Sequence, residues 1–175
     1  MRNIIRALVL CALTASAASA LDVTATEPAA IKGAAKGDFS FKGLTVRGIT
    51  WEKDAVVMPV TENKGRTYFD VKLLSKKLYG KLETCFKSGC ARPPARVPGP
   101  VVKVDAVKPL KSKSRVANAE LSFDGELMVV VGIMASSKEP GTIWLAFPET
   151  VDFKDEALKA SVEKSVKDAW GKKAD

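Results

Sequence analysis

The chain has 175 residues, carries a formal net charge of +8 and is 46% hydrophobic, a composition that allows one large globular domain or two small ones. It contains no histidine, which removes the commonest general base and metal ligand.

In chain order, the first segment reads as a leader. Arg2 and Arg6 make a basic start, Ile4 to Leu13 an apolar stretch, and Ala18-Ser19-Ala20 the small-residue pattern that signal peptidase cuts. The apolar stretch falls well short of the roughly 20 residues needed to span a bilayer. Leu10 stands before Cys11 where a lipoprotein needs a small residue, so lipidation is not expected. Cleavage after Ala20 predicts an exported chain, periplasmic or secreted, with no membrane span. The mature chain then has a charge of +6 and two cysteines, Cys85 and Cys90. In an oxidising compartment a disulfide between them is the candidate pairing, and the spacing alone leaves free thiols open. Two thiols without a histidine make no zinc site of the usual four-ligand kind.

The mature part repeats itself. Ser40, Phe41 and Gly43 fall on Ser122, Phe123 and Gly125 at an offset of 82, and Val46, Gly48 and Ile49 on Val130, Gly132 and Ile133 at an offset of 84. Met58-Pro59 answers Phe147-Pro148, and Phe69 and Leu74 answer Phe153 and Leu158. Matched glycines and prolines are backbone requirements rather than generic hydrophobicity. Gly48 and Gly132 are therefore expected to share one backbone geometry.

The first copy predicts strands near 22–27, 35–42, 43–50 and 55–59, an extended piece near 67–73, and a helix from Ser75 to about Lys87. The second predicts strands near 101–108, 115–123, 126–134 and 142–147, and a helix near 154–170. Leu74, Leu78, Leu82 and Phe86, and Leu158, Val162, Val166 and Trp170, recur every fourth residue as helix core stripes. Ser75, and Asp152 or Asp155, are candidate N-caps. Phe39, Phe41, Phe123 and Trp144 alternate as core positions do. Between the copies, residues 88–100 hold four prolines and two glycines and read as a spacer.

The expected fold class is therefore α+β. Two tandem modules (21–87 and 101–175) each carry a small antiparallel sheet of four to five strands and one C-terminal helix. Modules of that size have marginal cores, so the two are expected to pack together as a pseudo-dimer.

The second copy reads Val101-Val102-Lys103-Val104, then Ala117 to Leu127 through Ser122-Phe123-Asp124-Gly125, then Ile143-Trp144-Leu145-Ala146-Phe147-Pro148 and a closing helix. In this it resembles the stage V sporulation protein G (septation regulator) family. The first copy resembles it through Phe39-Ser40-Phe41, Val56-Val57-Met58-Pro59 and Gly65 to Val71. The resemblance implies a small homodimeric module that binds nucleic acid and regulates cell division, or septation, and gene expression in bacteria. This chain departs from the family in its leader, in fusing two modules, and in carrying Glu149, Thr150 and Asp152 after Phe147-Pro148 where the family is basic.

Charge is distributed unevenly. The first copy is +4, the spacer +2 and the second copy neutral. The candidate nucleic-acid-binding residues are Lys108, Lys111, Lys113 and Arg115 in the first hairpin turn of the second copy, with Lys64, Arg66 and Lys72 in the first. Lys76, Lys77 and Lys81 lie on the polar face of the first helix. No aromatic stacking platform is evident among them. No P-loop, dinucleotide or nucleophile-elbow pattern is present, and Asp124 and Glu126, across Gly125, read as turn chemistry rather than an acid/base pair. The expectation is a non-enzyme without cofactor or metal. Its partners would be DNA or RNA or an unknown protein; an exported binding module that keeps the fold without nucleic-acid binding is the alternative.

Overall fold

The computed structural model describes residues 21–25, 32–33, 35–90, 99–139 and 141–174. The expected leader, and residues 91–98 of the spacer, lie outside them. In chain order the elements are β1 (Thr24–Ala25), β2 (Lys36–Phe41), β3 (Leu44–Glu52), β4 (Ala55–Val57), β5 (Thr61–Asn63), β6 (Arg66–Tyr68), β7 (Val71–Leu73), α1 (Lys76–Ser88), β8 (Val102–Pro109), β9 (Arg115–Phe123), β10 (Leu127–Ala135), β11 (Ile143–Ala146), β12 (Val151–Phe153) and α2 (Glu156–Ala174).

Strand β10 shows why the sequence makes a half-buried sheet. Leu127, Val129, Val131 and Ile133 alternate with Met128, Val130 and Met134, and the first set is fully buried. Strand β3 cannot follow that pattern, because its buried residues Val46 and Ile49 are an odd number of positions apart. A bulge at Arg47-Gly48 absorbs the extra residue and returns both side chains to one face. Gly48 takes φ +76°, and its N–H donates to Asp38 Oδ1 at 2.8 Å. Gly132 lies in regular strand without a positive φ, so the two glycines do not share one geometry. The register places Gly132 opposite Asn118 and Thr50 opposite Lys36. At an offset of 82, then, Thr50 is the residue that holds Gly132's place.

Among the described residues all strand pairs are antiparallel, in two five-stranded sheets and one two-stranded ribbon. One sheet runs β1-β2-β3, with β4 and β12 sharing the free edge of β3; the other runs β8-β9-β10, with β11 and β7 sharing the free edge of β10. Each sheet thus takes a strand from the other half of the chain. The exchanged strands sit in the same register. Val71, Lys72 and Leu73 face Val129, Met128 and Leu127, while Val151, Asp152 and Phe153 face Val46, Thr45 and Leu44.

The helices follow the exchanged strands. Ser75 Oγ accepts the N–H groups of Lys77 and Leu78 to cap α1, and Asp155 Oδ1 accepts those of Ala157 and Leu158 to cap α2. Counted from the caps, Leu78 corresponds to Leu158 and Leu82 to Val162, one turn away from the sequence alignment. Leu74 is accordingly not in the stripe: it precedes the cap and is 46% exposed. Leu78, Leu82, Cys85 and Phe86 are the buried face of α1, where Phe86 meets Phe39 edge-on at 5.2 Å and stacks on Trp51 at 5.9 Å. Leu158, Val162 and Val166 are buried on α2. Gly89 (φ +97°) ends α1, and a disulfide joins Cys85 to Cys90 just beyond it.

Candidate nucleic-acid interface

The sequence predicts one extended piece near 67–73; the chain instead folds residues 61–68 into a ribbon of β5 and β6, with β7 following as a separate strand. Lys64 and Gly65 form its two-residue turn with φ of +50° and +73°, the left-handed conformation that such hairpins require. Across from the ribbon lies the turn between β8 and β9, held by Leu110 N–H donating to Val116 O and by Arg115 N–H donating to Ser112 Oγ.

Between ribbon and turn runs a groove of about 550 Å³. Arg66, Tyr68, Asn63 and Asp70 line one wall, and Lys111, Ser112, Arg115 and Asn118 the other. Two basic groups that are far apart in sequence therefore meet on one surface, with three cations against one carboxylate. Lys64 stands at the end of the same wall, in a smaller hollow with Asn63, Arg66 and Tyr68. Arg115 is oriented by the sheet: its Nε donates to Asn118 Oδ1 at 2.7 Å, and its guanidinium crosses β10 where Gly132 leaves room. A Cβ at Gly132 would lie 2.8 Å from that Nε.

The other candidates separate from this site. Lys113 is exposed in the same turn without lining the groove. Lys108 on β8 pairs with Glu120. Lys72 on β7 and Lys76 and Lys77 at the start of α1 are exposed elsewhere. Lys81 donates to Leu21 O and stands 3.7 Å from Asp22.

No family model, no curated protein and no solved structure matches the chain. What the site can do rests on its own residues.

Tyr68 is 41% exposed on the groove wall and offers the aromatic face that was not evident in the sequence. The signal was the pair Tyr68-Phe69. A strand alternates its faces, so two adjacent aromatics cannot both enter the core; Phe69 is 62% exposed as well. Trp144, read as core, is 51% exposed on edge strand β11, whereas Phe39, Phe41 and Phe123 are fully buried.

A second, larger groove of about 770 Å³ borders β3 and β4. There Lys36 and Arg47 face Asp38, Glu52 and Glu149, and Arg47 is already paired with Asp152 at 2.9 Å. That balance of charge does not favour phosphate. Asp124 and Glu126 have separate occupations: Asp124 accepts from Lys42 and from Val101 N–H, and Glu126 from Leu21 N–H and the Ser75 hydroxyl. Among the described residues no group of three His, Cys, Asp or Glu is gathered to hold a metal ion, and no helix is long and apolar enough to cross a membrane.

Proposed function

We propose that the protein is an exported, non-catalytic binding protein related in design to the septation regulators. Two fused copies of one module would pair within the chain and take single-stranded nucleic acid in the groove between the β5–β6 ribbon and the β8–β9 turn. The observation that carries the reading is the convergence of Arg66 with Lys111 and Arg115 beside the exposed ring of Tyr68. Cations spaced along a groove neutralise successive phosphates, and an aromatic face stacks a base without regard to its identity. Asn63, Ser112 and Asn118 add neutral hydrogen-bonding groups to the same walls.

The pairing of two modules, divided near the 88–100 spacer, is supported by the reciprocal exchange of β7 and β12 in one register. A strand given by each module to the other's sheet fuses two marginal cores into one, which suits modules of this size. The family resemblance gives the reading its link to cell division and septation.

The leader at 1–20 favours a second reading, an exported module that binds a different polyanion. One experiment separates the two. Mature protein is titrated with a labelled single-stranded oligonucleotide and, separately, with polyphosphate, over a range of salt. Oligonucleotide binding that weakens steeply with salt and exceeds polyphosphate binding at equal charge supports nucleic acid. Equal affinity for both supports the second reading, and no binding at low salt sinks both.

A further inference from the structure

Glu126 is a buried carboxylate, 9% exposed, on the inner side of the β9–β10 turn. Among the described residues, two groups donate to it. The Leu21 backbone nitrogen donates to Oε2 at 2.7 Å, and the Ser75 hydroxyl donates to Oε1 at 3.1 Å. Both are neutral donors as long as Leu21 is an internal residue. A buried carboxylate held only by neutral donors is costly, since desolvation is offset best by an opposite charge with good geometry.

Leu21 is also the residue that the Ala18-Ser19-Ala20 pattern would leave first in the mature chain. Its side chain is fully buried, Lys81 Nζ donates to its carbonyl oxygen, and Val23 beside it is buried too. The sequence pattern and the buried contact therefore meet, independently, at one nitrogen.

We propose that leader removal completes the fold. Signal peptidase adds water across the Ala20–Leu21 peptide bond; Ala20 departs with the new carboxylate, and the Leu21 amine takes up a proton. The resulting ammonium sits on Glu126 as a buried ion pair. Glu126 in turn holds the Ser75 hydroxyl, whose oxygen caps α1 through the Lys77 and Leu78 N–H groups. Processing thus converts an uncompensated buried charge into a paired one, and ties β1 to the start of α1. The precursor stays the less stable form, as export in an unfolded state requires.

This inference rests on the export reading, and the test keeps the two apart. Protein recovered after export is first analysed by intact mass and N-terminal sequencing; a first residue other than Leu21 overturns the inference. With Leu21 confirmed, denaturant unfolding is compared for the 175-residue precursor and the processed chain, each with Glu126 and with Glu126→Gln. The folding equilibrium constant should rise about tenfold or more on processing, the size expected of a hydrogen bond gaining charge, and that gain should shrink severalfold in Glu126→Gln. An equal gain in both backgrounds overturns the inference and leaves export standing. Should the precursor fail to fold, acylation of the Leu21 amine in the processed chain decides. Labelling about tenfold slower in native protein than in urea supports the pair, and equal rates contradict it.

Discussion

Lys42 Nζ lies 3.0 Å from Asp124 Oδ2, with side chains that are 1% and 5% exposed. The two residues occupy the same place in two hairpins: Lys42 follows Phe41 and precedes Gly43, and Asp124 follows Phe123 and precedes Gly125. Both take φ near +50°. Under the proposed pairing of modules, these matched positions face each other, and like charges there would repel. A lysine against an aspartate avoids that repulsion.

Replacing Lys42 with Met should leave Asp124 buried and unpaired, at a cost of about 3–5 kcal/mol by urea unfolding. The double variant Lys42→Met/Asp124→Leu should recover most of that loss. It should fall short of wild type by about 1 kcal/mol, because Asp124 also accepts the Val101 N–H at 2.7 Å. Additive losses in the two single variants would show that the pair is not coupled.

Gly48 and Gly132 should respond differently to the same change. Gly48→Ala forces a side chain into the left-handed region and should cost about 1 kcal/mol of stability. Gly132→Ala meets only the far end of Arg115. It should cost little in unfolding experiments while displacing Arg115 from Asn118 and weakening oligonucleotide binding severalfold. Equal destabilisation by both would restore the shared geometry that the sequence suggests.

Acid should loosen the join between β3 and β12. Hydrogen bonds from the Arg47 guanidinium and then from Lys154 hold the Asp152 carboxyl below its ordinary value, and the Ser122 hydroxyl with Lys103 does the same for Asp105. A depressed folded pKa means that the unfolded chain binds the proton first. The stabilisation is therefore fully present above the ordinary aspartate pKa of about 3.9 and is lost as pH falls through the lower folded values. Unfolding midpoints measured downward from about pH 5 should fall, and Asp152→Asn should flatten that acid limb while lowering the neutral plateau slightly. An unchanged limb in Asp152→Asn would assign the acid sensitivity elsewhere.

What the sequence made legible was local. The alternation in 115–123 and 127–135, the caps at Ser75 and Asp155 and the hairpin turns at Gly43 and Gly125 all depend on neighbouring residues. The exchange of β7 and β12 was not legible, because three-residue strands have too little pattern to declare a partner. The helix stripe slipped by one turn because Leu74 continues a four-residue spacing that the Ser75 cap interrupts. In the candidate site the basic residues were visible, but their convergence was not. Arg66 and Lys111 meet only because the β5–β6 ribbon reaches the β8–β9 turn, a contact between segments that share no periodicity. Lys42 against Asp124 could have been found earlier, as opposite charges at matched positions of a repeat.

The most direct test of the account is the salt dependence of single-stranded oligonucleotide binding by the mature protein, compared with the Arg66→Glu/Lys111→Glu variant. Each phosphate contact on a single strand contributes about 0.7 to the slope of log affinity against log salt. The double variant, with a wild-type unfolding midpoint, should bind at least about a hundredfold more weakly and lose a slope of roughly 1.4. Lys36→Glu, in the charge-balanced groove, should change neither. Unaltered affinity and slope in Arg66→Glu/Lys111→Glu would contradict the assignment of this groove as the binding site.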